Sequence, residues 1–177
     1  FVSVTQAFNT TTSMGRLTLN ILLSFAQFER EIIGERIRDK VAAAKRKGKY
    51  TGGMPILGYD VDRVAKKLIV NSEEAKLVRH IFKRFVLTQS ATSLSRELNE
   101  QGYTTKAWTT MKGKVRAGQS WHKMHLYRVF NNRIYVGEIV HKDNVYQGEH
   151  EAIVPRALFD KVQAILEENC RVRGNNA

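Results

Sequence analysis

The hydrophobic and polar positions divide the chain into one very long helix and a series of short elements. Residues 14–47 have helical spacing throughout; the first half is almost wholly apolar, and arginine and lysine are frequent in the second half. At about 1.5 Å per residue such a helix would be about 50 Å long, which exceeds the width of a small domain. We therefore expect one end of the helix to leave the domain in which the other end is anchored.

Shorter elements are predicted beyond the glycines and the proline that interrupt this periodicity at residues 48–55. The pattern predicts strands at 1–4, 59–61, 68–70, 134–140 and 144–146, and helices at about 71–87, 91–101, 121–130 and 155–168. Three helices followed by a hairpin indicate a helix-turn-helix-like or winged arrangement, although the loop at 103–119 is long for the compact motif. We therefore predict an α+β, mainly helical fold with small β-hairpins.

The same spacing predicts which faces of the helices are buried. In the first two short helices the inward residues would be Ala75, Val78, Phe82, Phe85, Leu94 and Leu98. We expect Ser120 to cap the third helix. Its core side would be Trp121, Met124, Tyr127 and Phe130, and its outward side His122, Lys123 and Leu126.

The charge of the chain indicates the class of its partner. Lysine and arginine number 29 against 17 aspartates and glutamates, which gives a net charge of +12. Such a balance is typical of proteins that bind nucleic acid. An RNA-binding protein of the ribosomal type, or a soluble protein with basic helix faces, would have a similar composition.

The sharpest charge signal lies between Gln101 and Gly137, where the chain has no aspartate or glutamate. Phosphates attract cations best where no carboxylate competes, so we predict DNA contacts in this span; a merely solvated basic loop is the alternative. His122 and Lys123 fall in the first turn of the third helix, where recognition helices meet base edges. The candidate contacts are Lys106, Lys112, Lys114, Arg116, His122, Lys123, Arg128 and Arg133.

A second basic segment joins the long helix to the remainder of the chain. Lys45, Arg46, Lys47 and Lys49 stand beside small residues, a composition that lets a chain enter a minor groove. A plain interdomain hinge is the alternative. Upstream, Arg36 and Lys40 would follow the duplex along the helix.

Few residues could support a metal or a disulfide. Cys170 is the only cysteine, which excludes an internal disulfide and a cysteine zinc site and fits a reducing cytoplasm. His122 and His125 alone are a weak pair of ligands, so we predict no metal. No apolar run approaches the roughly 20 residues that span a bilayer, so no membrane partner is expected.

Several segments resemble the serine recombinases, the family of resolvases, invertases and large serine integrases. Residues 10–37, which begin TTTSMGRLTLN, resemble the end of the catalytic domain. GGMPILGY at 52–59, LSRELNEQGYTT at 94–105 and SWHKMHLYRVFNNRIYVGEI at 120–139 resemble the DNA-binding domain of the large members. The resemblance implies four regions: a truncated catalytic domain with the long connecting helix (1–47), a linker (48–58), the recombinase DNA-binding domain (59–169) and a tail (170–177).

The resemblance also implies a function. The parent enzyme would join double-stranded DNA attachment sites in phage or mobile-element integration and excision. It would do so as dimers that pair into a tetramer, through a 5′-phosphoserine link and without a metal or nucleotide cofactor. By motif, Arg30 would neighbour the active site with Glu29 as its companion, whereas spacing alone would make the two residues ordinary solvated helix charges.

The nucleophilic serine of the family would lie upstream of Phe1, so this fragment alone is expected not to cut DNA. Two alternatives stay open. One is a winged-helix-like regulator that binds DNA without recombining it, and the other is a basic RNA-binding or assembly module.

Overall fold

The computed structural model describes residues 11–62, 64–110 and 112–174. The strand predicted at 1–4 lies outside these residues. The chain divides into two compact units, one that ends at Ala43 and one that begins at Ala44.

The first unit consists, in its described part, of one helix. Helix α1 spans Ser13–Arg46, and its last residues belong to the second unit. The hydroxyl of Thr12 accepts a hydrogen bond from the amide of Gly15 (3.0 Å), which satisfies one free donor of the first turn. The prediction of a single uninterrupted helix is confirmed, and none of its side chains is buried.

The second unit contains the remaining elements, in the order predicted for an α+β, mainly helical fold. The strands pair as three separate antiparallel hairpins among the described residues. The elements are β1 Tyr59–Asp62, β2 Lys67–Val70, α2 Ser72–Thr88, α3 Ala91–Glu100, β3 Trp108–Thr109, β4 Val115–Arg116, α4 Lys123–Phe130, a 3-10 helix Arg133–Val136, β5 Glu138–His141, β6 Asn144–Gln147 and α5 Arg156–Gly174.

Local signals explain where α2 and α3 begin. The side chain of Asn71 accepts a hydrogen bond from the amide of Glu74, and that of Ser90 accepts one from Ser93. The two helices are joined by Arg84, whose guanidinium donates two hydrogen bonds of 2.8 Å to the carboxylate of Glu97.

The core of the second unit lies between α2, α3, α4 and α5. All six inward residues predicted for α2 and α3 are buried. Aromatic rings fill the centre: Phe85 lies 4.2 Å from Phe130, centroid to centroid, and Phe82 lies edge-on to Phe130 and Tyr135.

Two predictions about α4 are wrong. The helix begins at Lys123 with His122, not Ser120, at its N-cap. Its buried and exposed sides also differ from the prediction, since Leu126 is fully buried and Met124 is 56% exposed. The reason is that the side chain of Asn99 holds the backbone of Trp121 outside the helix. The side-chain oxygen of Asn99 accepts a hydrogen bond from the Trp121 amide (2.7 Å), and its side-chain nitrogen donates one to the Trp121 carbonyl (2.9 Å).

The strand predicted at 134–140 is also partly wrong. Residues Arg133–Val136 form a 3-10 helix, which Asn132 caps through a hydrogen bond from the amide of Ile134, and the strand begins only at Glu138. Gly137, at φ 78°, makes the turn between the two elements.

Candidate nucleic-acid interface

Helix α4 presents a short basic and apolar face to solvent. His122, Lys123, Met124 and Arg128 are exposed, while Leu126 and Phe130 anchor the opposite face in the core. Because Asn99 fixes the backbone just before the helix, these outward side chains start from a rigid base. Such an arrangement can bring side chains to the base edges of a duplex groove.

The segment predicted as a long loop contains a small hairpin, which we name the basic arm (residues 105–119). In it Trp108 pairs with Arg116 and Thr109 with Val115. Two hydrogen bonds of 2.9 Å close its base, from the amide of Thr105 to the carbonyl of Gln119 and from the amide of Gln119 to the Thr105 hydroxyl. The exposed cations of the arm are Lys112, Lys114 and Arg116.

Lys106 differs from these cations because two carboxylates already pair with it, and its role as a DNA contact stays a prediction. Its side chain is only 12% exposed, and its ammonium group pairs with Asp60 (2.9 Å) and Glu74 (2.6 Å). The pKa of Asp60 is lowered, chiefly because Lys106 donates this hydrogen bond to its carboxylate. Pairing with two carboxylates makes this ammonium group less available to a phosphate than the exposed cations of the arm.

Arg133 is partly neutralised in the same way. Its guanidinium lies 3.1 Å from the carboxylate of Glu138, which also binds Arg156. Arg133 nevertheless borders a cavity of about 340 Å³ together with Lys45 and Lys49. The structure thus brings Lys45 and Lys49 of the linker close to Arg133, which is distant from them in the sequence.

The beginning of the linker is held by the second unit. The carbonyl of Gly48 accepts a hydrogen bond from the amide of Glu149 (2.9 Å), and Tyr50 packs against the core. The carbonyl of Val140 accepts a hydrogen bond from Lys45 (3.5 Å). Arg46, Lys47 and Lys49 are exposed. These contacts argue against a free hinge at residues 45–50.

A second cavity, of about 310 Å³, lies between the linker, the arm and α4. Pro55, Trp108 and Arg128 contribute to its lining, and Asn132 borders both cavities. Some of the candidate residues therefore line two neighbouring cavities: Lys45, Lys49 and Arg133 line the first, and Lys106 and Arg128 line the second.

On α1, Arg36, Lys40, Glu29 and Arg30 are all exposed. None of the four makes an ion pair within the described part of the chain. Their roles, including that of Arg30 beside an active site, stay predictions.

No group of three or more histidine, cysteine, aspartate or glutamate side chains could hold a metal ion within residues 11–62, 64–110 and 112–174. No helix in this described part of the chain is both long and apolar enough to cross a membrane.

Comparison with known proteins identifies the family. The sequence model described as "Recombinase" matches residues 72–169, more than half of the chain. The model described as "Resolvase, N terminal domain" matches residues 1–50. This chain belongs to the serine recombinase family.

Curated serine recombinases resemble part of the chain. A transposon Tn917 resolvase of Enterococcus faecalis is 35% identical over 101 residues, which cover 57% of this chain and 52% of that protein. A DNA-invertase of Enterobacteria phage P7 is 32% identical over 82 residues (46% and 44%), and the serine recombinase gin of Escherichia phage Mu is 33% identical over 82 residues (46% and 42%). The chain spans about half the length of the curated relatives it matches.

Two solved serine recombinase structures share the fold. One, described as "Crystal Structure of a LSR-DNA Complex", has a TM-score of 0.60 and 26% identity, and the match covers 75% of this chain and 38% of that one. The other, from work on the Listeria innocua prophage attP site, has a TM-score of 0.57 and 28% identity, and covers 75% and 51%.

Proposed function

We propose that this recombinase chain binds duplex DNA at an attachment site. The observation that carries the proposal is a set of exposed cations on the second unit that have no carboxylate partner among the described residues. Exposed cations without a partner displace the counterions that are condensed on DNA phosphates, and this release supplies much of the affinity for DNA. Those on the basic arm and on α4 are Lys112, Lys114, Arg116, Lys123 and Arg128.

The proposal divides the contacts between elements. The first turn of α4 reads base edges, with His122 and Lys123 foremost. The basic arm contacts the phosphate backbone, and Lys45 to Lys49 cross a neighbouring groove. Arg36 and Lys40 extend the phosphate contacts along α1.

The parent activity follows from family membership and is likewise a proposal. We infer strand exchange through a serine nucleophile, with Arg30 and Glu29 beside the active site and pairs of dimers as the working assembly. The setting would be the bacterial cytoplasm. The match of residues 1–50 to the resolvase domain supports this view over a regulator that never recombines DNA.

Enrichment from a random-duplex pool at two salt concentrations, followed by sequencing, tests the proposal. We expect one enriched half-site of about ten base pairs and an affinity that falls steeply with salt. Lys123→Ala should weaken binding to that site more than binding to random DNA, while Lys76→Ala, on α2, serves as the matched control. Salt-sensitive binding without an enriched sequence would leave a merely generic basic surface, and tighter binding to structured RNA would refute the proposal.

A further inference from the structure

We propose that Lys106 is a positioning residue: it fixes the basic arm in the orientation that contacts DNA, and does not itself touch the duplex. The inference rests on the proposed function, since it concerns how that DNA surface is held. It assigns to Lys106 a role other than a phosphate contact, and the two roles predict opposite effects on binding when its partner Asp60 is neutralised.

The first argument is the environment of the ammonium group. Lys106 donates to the Tyr59 carbonyl (2.9 Å) as well as to the carboxylates of Asp60 and Glu74. All three hydrogen atoms of the ammonium group therefore have an acceptor within the second unit. Three simultaneous partners fix the position of the ammonium group, and the four-carbon side chain then limits how far the backbone of Lys106 can move away from it.

The second argument is where those partners lie. Tyr59 and Asp60 belong to β1, and Glu74 lies in the first turn of α2 and also accepts a hydrogen bond from the Gly58 amide (2.8 Å). Lys106 thus ties the start of the arm to two elements of the core at once. Beyond this point the arm carries no carboxylate.

The third argument is the close packing of the other strand at the base of the arm. A Cβ added at Gly118 would collide with the Thr105 carbonyl oxygen and lie 2.6 Å from the Thr104 hydroxyl. Together with the two Thr105–Gln119 hydrogen bonds, this packing transmits the position of Lys106 to both strands. The exposed cations Lys112 and Lys114 then project from a fixed base.

The change in DNA affinity when an acidic residue is neutralised distinguishes a positioning role from a purely electrostatic one. Removing a carboxylate near a DNA surface ordinarily strengthens binding, because it lowers repulsion of the phosphates. Asp60→Asn removes the negative charge from one partner of Lys106 and so weakens its hold on the arm. We therefore expect binding about twofold to fivefold weaker, an effect of about 0.4–1 kcal/mol. Asp143→Asn, an exposed acid in the β5–β6 turn, is the matched control and should bind as tightly as the wild type or slightly more tightly.

A double-mutant comparison provides the readout that a merely structural role would not give. Lys106→Met should weaken binding about tenfold because the loosened arm must be ordered when it binds; the salt slope should stay unchanged, since the ordered arm then makes the same phosphate contacts. Lys112→Gln with Lys114→Gln should instead lower the slope by about 1.8. When the arm cations are already neutralised, Lys106→Met should weaken binding by less than about twofold. Lys106→Arg should restore most of the affinity, and Lys76→Met, which removes a lysine from an exposed ion pair, controls for the lost charge.

Equal losses from Lys106→Met in both backgrounds, or a salt slope lower by about one, would overturn the proposal. Tighter binding by Asp60→Asn would also overturn it, and this variant serves if Lys106→Met fails to fold. Amide hydrogen exchange of the free protein separates this inference from the proposed function, because it needs no DNA. Lys106→Met should raise exchange at Thr105 while the α2 core amides stay protected; a uniform rise would contradict positioning.

Discussion

At the scale of single residues, Met124 is an apolar side chain exposed where a protein–DNA surface would be. It is 56% exposed and follows His122 and Lys123 at the start of α4. The methyl group of thymine is the apolar feature of the major groove, so a methionine there favours thymine over uracil or cytosine. Removing one methyl contact should cost about 0.8 kcal/mol, or about fourfold in affinity.

We therefore predict that Met124→Ala reduces the preference for thymine over uracil at one position of the enriched site from about fourfold to about one. Competition between duplexes that differ only in that methyl group measures the preference. Leu87→Ala, which removes a more exposed apolar side chain (72%) at the end of α2, should leave the preference unchanged. An unchanged preference in Met124→Ala would remove this residue from base reading.

Lys106 shows why sequence reasoning identified the basic region but not every role within it. The span from Gln101 to Gly137 lacks acids in sequence, yet Asp60 and Glu74 approach Lys106 from 46 and 32 positions away. Met124 and Leu126 were misassigned for a related reason, because Trp121 was counted as helical. The carboxylate partners of Lys106 and the buried face of α4 both depend on contacts between distant segments, which no local pattern records.

At the scale of elements, Gly58 joins the linker to the β1–β2 hairpin under unusual constraint. Its φ is 90°, its carbonyl accepts from Asn71, and an added Cβ would lie 2.7 Å from Cδ1 of the buried Ile153. Gly58→Ala should therefore combine a backbone penalty of about 1–2 kcal/mol with overpacking of about 1–3 kcal/mol.

Gly102→Ala provides the matched control. Gly102 also has a positive φ, of 77°, but nothing lies within 4 Å of its added Cβ, so this variant should show the backbone penalty alone. Urea unfolding of both variants measures the difference in the free energy of unfolding, expected to exceed about 1 kcal/mol. Equal losses would mean that the core around Ile153 yields to the extra methyl group.

Elements with long periodic segments or strong caps were predictable. Helix α1 carries helical spacing over its whole length, and Asn71 and Ser90 are the N-cap residues of α2 and α3. The two-residue strands of the basic arm carry too few positions for any periodicity. The 3-10 helix at Arg133–Val136 has the apolar composition of a strand, so only its tertiary setting distinguishes it.

At the scale of the whole molecule, α1 exposes an apolar face that no described residue covers. Leu17, Ile21, Phe25 and Phe28 fall on one side of the helix by their spacing, and each is about half exposed or more. Apolar patches of this kind mark surfaces that associate. The occupant we expect is the same face of a second copy, because symmetric dimers are the commonest assembly of soluble chains.

We predict that the full chain dimerises at micromolar concentrations and that Ile21→Ser with Phe25→Ser abolishes the dimer. Burial of each such side chain contributes about 1.5–3 kcal/mol, and a symmetric interface contains each one twice, so the dissociation constant should rise more than a hundredfold. Sedimentation equilibrium at protein concentrations from about 1 to about 100 μM measures the dissociation constant. Leu23→Ser, on the opposite side of the helix, should dimerise like the wild type.

Because the chain carries a net charge of +12, dimerisation through this apolar face should strengthen as salt screens the repulsion, whereas DNA binding should weaken. A dimer that dissociates at high salt would instead be held by charge and would exclude this face as its interface.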